Sequence, residues 1–196
     1  GQFADSATGS TPGYLLSGGV YTILAPTVNA LVTNAQGVNS NGLVTGFSST
    51  DGVHQHGFFY DSATQAFSLV ADPNVANLVL TQFLGLNDIG LAVGYYQTTD
   101  GSQHGFLFDI ATDAYTFLDD PSAATTGLSI TQITGVNNSN EIDGFYVDPT
   151  TGLQRGFVAT PVAVSVPEPA TLGLLLGGLG LLLLRVAGRR SRLSRN

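Results

Sequence analysis

One block of sequence returns three times along this 196-residue chain and limits what it can fold into more than any other feature. Gly37-Val-Asn-Ser-Asn-Gly-Leu-Val-Thr-Gly-Phe47 aligns with Gly85-Leu-Asn-Asp-Ile-Gly-Leu-Ala-Val-Gly-Tyr95 and with Gly135-Val-Asn-Asn-Ser-Asn-Glu-Ile-Asp-Gly-Phe145, at offsets of 48 and 50 residues (37 to 85, 85 to 135). A second block follows each copy: His56-Gly-Phe-Phe-Tyr-Asp61, His104-Gly-Phe-Leu-Phe-Asp109 and Arg155-Gly-Phe-Val158. A third follows two of them, Phe67-Ser-Leu-Val70 and Tyr115-Thr-Phe-Leu-Asp119. The start of the chain fits the same scheme. Gly1-Gln-Phe3 takes the place of Gly46-Phe47, Pro12-Gly-Tyr-Leu15 that of the second block and Tyr21-Thr-Ile-Leu24 that of the third. Repetition at this period means units that cannot bury their apolar faces alone and must stack on their neighbours.

Each unit holds four short runs rich in β-branched and aromatic residues. In the third unit they fall at 80–86, 91–97, 104–108 and 114–118. Asn-Asp-Ile-Gly at 87–90, Thr-Asp-Gly at 99–101 and Ala-Thr-Asp at 111–113 separate them. In such turns Gly supplies positive φ, and Asn or Asp bonds to the turn backbone. No helical period is present before residue 170. The expected fold class is therefore all-β: a propeller-like array of four-stranded repeats over residues 1–160. About three and a half units are present, so a partial or open array is the alternative to a closed ring. The last unit departs from the pattern, with Arg155 in place of His and no third block.

The end of the chain is of a different kind. Val166-Pro-Glu-Pro169 lies in a Pro-rich linker at 161–170, where two prolines one residue apart keep the backbone extended. An apolar run, TLGLLLGGLGLLLL at 171–184, follows it, and Arg185, Arg189, Arg190, Arg192 and Arg195 come next. A spanning helix needs about 17–25 apolar residues. The strict run is short, and snorkelling of Arg185 with inclusion of Val186 and Ala187 extends it, so a single transmembrane helix is expected at 171–188. Clustered arginine stays on the cytoplasmic side, which leaves 189–196 as a basic cytoplasmic tail and places the repeats outside.

This order, Pro-Glu-Pro, apolar run, arginine cluster, resembles the PEP-CTERM sorting domain of Gram-negative bacteria, from Val166 to about Arg192. The resemblance implies recognition and cleavage by a membrane protease-transpeptidase, the exosortase. Val166, Pro167, Glu168 and Pro169 are then its sorting signal, and Arg185, Arg189, Arg190 and Arg192 the flanking basic residues. The repeats, with their G-[IVL]-N…G…[HR]-G-F pattern, resemble the HAF-type repeats of extracellular bacterial proteins over nearly all of 1–160. The chain has no Met and opens in mid-pattern, so it reads as a fragment or processed chain whose export signal lies upstream.

Charge and cysteine content exclude some chemistry. Residues 1–165 carry one Arg against thirteen acidic side chains, a net of −12, which repels nucleic-acid phosphates. With no Cys there is no disulfide, zinc-thiolate site or thiol nucleophile. His56 and His104 hold equivalent places in successive repeats, and a residue that recurs in this way reads as structural. His54 and His56 could share one strand face, but with no evident carboxylate partner they make a weak metal site. Asp61, Asp109 and Asp148 each open a Thr-containing turn, and Asx bonding accounts for them better than calcium, which takes six to eight oxygens. Asp119 and Asp120 are expected to point to opposite faces of a strand and so not to act together as in a glycosidase. Phe58, Tyr60, Phe106 and Phe108 alternate along their strands and read as core rather than a sugar platform. No G-x-S-x-G, H-E-x-x-H or phosphate loop occurs.

The expected protein is thus exported, non-enzymatic and associated with the cell surface or an exopolysaccharide matrix, with no cofactor. Its partners are an exosortase-type membrane transpeptidase, the membrane and exopolysaccharide, and its precursor is membrane-anchored. The alternative is a fragment of an extracellular enzyme or carbohydrate-binding propeller whose active part lies upstream.

Overall fold

The alternating apolar runs form strands, and every regular element among the described residues is β. The computed structural model describes residues 1–70 and 72–160; the expected linker 161–170, membrane helix 171–188 and basic tail 189–196 lie outside them. The second unit consists of β3 (Val32–Val38), β4 (Leu43–Ser49), β5 (His56–Asp61) and β6 (Ala66–Leu69). The third consists of β7 (Leu78–Leu86), β8 (Leu91–Thr98), β9 (Gln103–Asp109) and β10 (Ala114–Phe117). Each is a four-stranded antiparallel sheet in simple meander order, with boundaries within two residues of the sequence expectation in the third unit. The first unit contributes β1 (Gly13–Ser17) and β2 (Val20–Leu24), and Gln2 pairs with Gly13 just as Phe47 faces Gly57. The last has three strands, β11 (Thr131–Val136), β12 (Ile142–Val147) and β13 (Gln154–Ala159). Among the described residues no helix is long and apolar enough to cross a membrane.

Local chemistry explains the repeated residues. In the first turn of each unit the Asn side chain accepts two backbone N–H groups. Asn39 takes those of Asn41 and Leu43, Asn87 those of Ile89 and Leu91, and Asn137 those of Ser139 and Glu141. The last turn residue has positive φ: Gly42 at 79° and Gly90 at 95°, with Asn140 at 61° in the last unit, and Asn is the non-glycine residue best suited to that region. On the second strand Gly46, Gly94 and Gly144 run so close to the first strand that a Cβ would overlap the carbonyl oxygens of Asn34, Gln82 and Gln132. The first strand of each unit carries a register shift beside this point, at Ala35/Gly37, Phe83/Gly85 and Ile133/Gly135.

Units join face to face. Isolated parallel bridges link the third-strand start of one unit to the first strand of the next: Thr11 to Val32, Gln55 to Leu80 and Gln103 to Ile130. Three apolar clusters lie at these junctions. Leu24 and Leu15 meet Ala35, Val44, Phe58 and Tyr60. Phe59, Leu43 and Val70 meet Phe83, Leu86, Ala92, Phe106 and Phe108. Val93 and Leu107 meet Ile133, Ile142 and Phe157. Phe58, Tyr60, Phe106 and Phe108 are thus core, and the side chains of one strand divide by alternation between a backward and a forward face. Each fully buried Phe contributes about 1.5–3 kcal/mol over an exposed one. The described residues form no bridge between the last unit and the first.

Candidate functional site

The repeated histidines have carboxylate partners, contrary to the sequence expectation. His56, at the start of β5, places Nδ1 2.7 Å from Asp72 Oδ2, and His104 on β9 places Nδ1 2.7 Å from Asp119 Oδ2. In each case the start of the third strand is tied to the segment after the fourth, a contact between residues about fifteen apart that sequence proximity does not reveal. Asp72-Pro73 recurs as Asp120-Pro121, but the carboxylate that His104 meets is Asp119, one residue before that pair, so the recurrence alone does not give the contact. His54 precedes β5 and does not work with His56; its Nδ1 lies 2.6 Å from Asp51 Oδ2 within the 49–54 turn. That bond, with the N–H groups of Val53 and His54, holds the Asp51 carboxyl well below the usual range. In the last unit Arg155 Nε donates to Asp148 Oδ2 at 2.9 Å, since no described fourth strand is there to lead to a carboxylate. Solvent screening keeps the contribution of such exposed pairs small.

Asp61, Asp109 and Asp148 form the expected Asx turns, accepting the N–H groups of Ala63, Ala111 and Thr150 at 2.8, 2.9 and 2.9 Å. Those backbone donors lower the pKa of Asp61 and Asp148. Among the described residues no group of three or more His, Cys, Asp or Glu is placed to hold a metal ion.

A cleft of about 480 Å³ lies beside His104, lined by Asp100, Ser102, Asp119, Asp120 and Ser129 among others. The sequence expectation for the adjacent aspartates needs correction here. β10 ends at Phe117, so Asp119 and Asp120 lie beyond the strand and both border this cleft. They still have separate partners: Asp119 takes His104, while Asp120 Oδ1 accepts the Ser122 N–H. Asp100 is occupied by Thr98 Oγ1 and the Ser102 N–H. The His104 ring stacks on Tyr96 at 5.0 Å, and burial, then the nearby Asp119 charge, raises the Tyr96 pKa.

Sequence reading also missed an amide ladder across the turns. Asn39 Nδ2 donates to the Asn87 carbonyl and Asn87 Nδ2 to the Asn137 carbonyl, both at 3.0 Å. Asp88 adds to it, accepting the Ser40 N–H at 2.7 Å and Asn138 Nδ2 at 2.8 Å. Strict recurrence of Asn at the 48- and 50-residue offsets was the only trace of it in the sequence.

The expected sorting residues, Val166 to Pro169 and the arginines from Arg185 on, lie outside the described residues. Residues 165–192 match the PEP-CTERM protein-sorting motif. The match takes in Val166, Pro167, Glu168 and Pro169 together with Arg185, Arg189, Arg190 and Arg192, and it ends before Arg195. A motif of this kind implies processing by an exosortase-type membrane protein, and hence export. No curated protein and no solved structure matches the chain.

Proposed function

We propose that this chain is a non-enzymatic repeat protein of the cell surface or exopolysaccharide matrix, delivered there by exosortase processing of its C-terminus. The match at 165–192 carries the reading. The Pro-Glu-Pro element is the segment recognised, a transmembrane helix at 171–188 holds the precursor in the membrane, and the arginines fix its orientation. The repeats at 1–160 are of the HAF type and stack as a partial, propeller-like array. Two features of the described residues support a structural role for them: the histidines are clamped to carboxylates, and the recurring aspartates are spent on turns.

The test is to replace Pro167, Glu168 and Pro169 together with Ala in a host that carries an exosortase. The variant should accumulate unprocessed in the membrane fraction while the parent chain reaches the surface. Equal surface delivery of both would defeat the proposal.

A further inference from the structure

On the second strand the forward face of the second and third units is uncharged, and the last unit breaks the rule. On the second strand, Thr45 and Val93 are fully buried under the next unit, and Leu43 and Leu91 stand beside them, half-buried. The same positions in the last unit hold Asp143 and Glu141, both exposed. On the third strand Phe59 is 7% exposed under the next unit, whereas its counterpart Val158 is 76% exposed.

The two acidic residues also occupy the features through which the earlier units join. Gly37 is packed so that a Cβ would lie 3.2 Å from Gly85 Cα, and a Cβ on Gly85 would lie 3.4 Å from Gly135 Cα. In front of Gly135 that space is filled by the carboxylate of Asp143, which accepts from Thr134 Oγ1 at 3.2 Å. Asn39 and Asn87 send their amides to the next turn. Asn137 turns its own back to Glu141 Oε2 at 2.7 Å.

We infer that the last unit is a capping repeat: Glu141 and Asp143 close its forward face, so no further repeat, from a second copy of this chain above all, stacks on it. Stacking another unit there would bury two carboxylates whose partners, the Thr134 hydroxyl and the Asn137 amide, are neutral and leave the charges uncompensated, which is costly. Repeat arrays need such polar end faces to stay unassociated. The inference does not depend on how the C-terminus is processed.

The absence of Cys in the sequence makes the test clean. A single Cys is introduced as Val158→Cys, exposed on this face, in the full chain in detergent. It is then treated with a short bismaleimide in two backgrounds, the parent and Glu141→Leu/Asp143→Val, which installs the residues of the third unit. In the double variant two last units should stack face to face, as symmetric dimers do, and the linked dimer should rise roughly tenfold over the parent. Should that variant lose its β circular dichroism, Glu141→Gln/Asp143→Asn keeps the hydrogen bonds, removes the charges and should give an intermediate yield. Equal linking in the parent and a folded variant, of either kind, overturns the cap.

Discussion

The third and last units share the leading turn Asn, the register shift and the strand order, yet they differ where a side chain faces forward. Both keep what a unit needs for itself: Gly94 and Gly144 where the first strand's carbonyl leaves no room, and Asn87 and Asn137 to organise the first turn. Only the third keeps what a unit needs for its neighbour. Val93 and Leu107 pack on the next unit, while Asp143 and Val158 face outward in the last. The recurring residues therefore fall into two classes. One answers to the backbone of the unit and persists to the end of the array, and the other answers to stacking and stops where stacking stops.

The sharpest way to break this division is to delete equivalent forward side chains. Phe59 touches the rings of Phe83 and Phe108. Phe59→Ala should cost about 3–5 kcal/mol in urea unfolding. Val158→Ala should stay within about 0.5 kcal/mol. Similar losses at the two sites would mean that the last face is covered after all.

Glycines of the second block give a smaller contrast. A Cβ on Gly57 would overlap the Phe83 ring, and one on Gly105 would lie 2.6 Å from the Leu118 carbonyl and 2.8 Å from Ile133. Gly156 has only the Gly144 carbonyl, at 3.7 Å. Gly57→Ala and Gly105→Ala should each destabilise by about 1–3 kcal/mol, through overpacking. Gly156→Ala should be nearly neutral, and a loss as large as that of Gly105→Ala would contradict the open slot.

The amide ladder separates the units less. Asn87 and Asn137 both organise a turn, but only Asn87 also donates to the next unit, at the Asn137 carbonyl and Asn140 Oδ1. Asn87→Ala should therefore lose about 1 kcal/mol more than Asn137→Ala in the same melts, the net worth of a typical hydrogen bond.

Acid should act on all units alike. Asp61, Asp88, Asp100 and Asp148 have pKa values lowered by hydrogen bonds, from the Ala63 N–H, Asn138 Nδ2, Thr98 Oγ1 and the Thr150 N–H in turn. A carboxyl depressed in the folded state stabilises above its unfolded pKa of about 3.9 and loses that contribution as pH falls through the lowered folded value. Melting temperatures should thus be level from about pH 5 to 8 and fall below about pH 4. A rise on acidification would show that repulsion within the acidic surface outweighs these bonds.

Much of the array was legible because its signals are local. Alternation gave the strands of the third unit to within two residues, and Asn-Asp-Ile-Gly or Asp-Ile-Ala-Thr gave the turns. Long-range pairing was not legible. Asp72 and Asp119 meet histidines fifteen or sixteen residues away because β5–β6 and β9–β10 fold back on each other, and Asp119 was misplaced because β10 ends two residues before it. The cap was hidden for another reason. Glu141 and Asp143 read as ordinary surface acids until the fold shows that their counterparts lie under the next unit. The sorting signal needed no fold at all, since its order along the chain is what the motif at 165–192 matches.

The account centres on a chain made to be exported and trimmed at its end. The direct test is the intact mass of the protein recovered from the surface of a host that carries an exosortase. Processing predicts a mature C-terminus near Pro167 to Pro169, with the apolar run and Arg185 to Arg195 gone. A surface protein that still ends at Asn196 would contradict it.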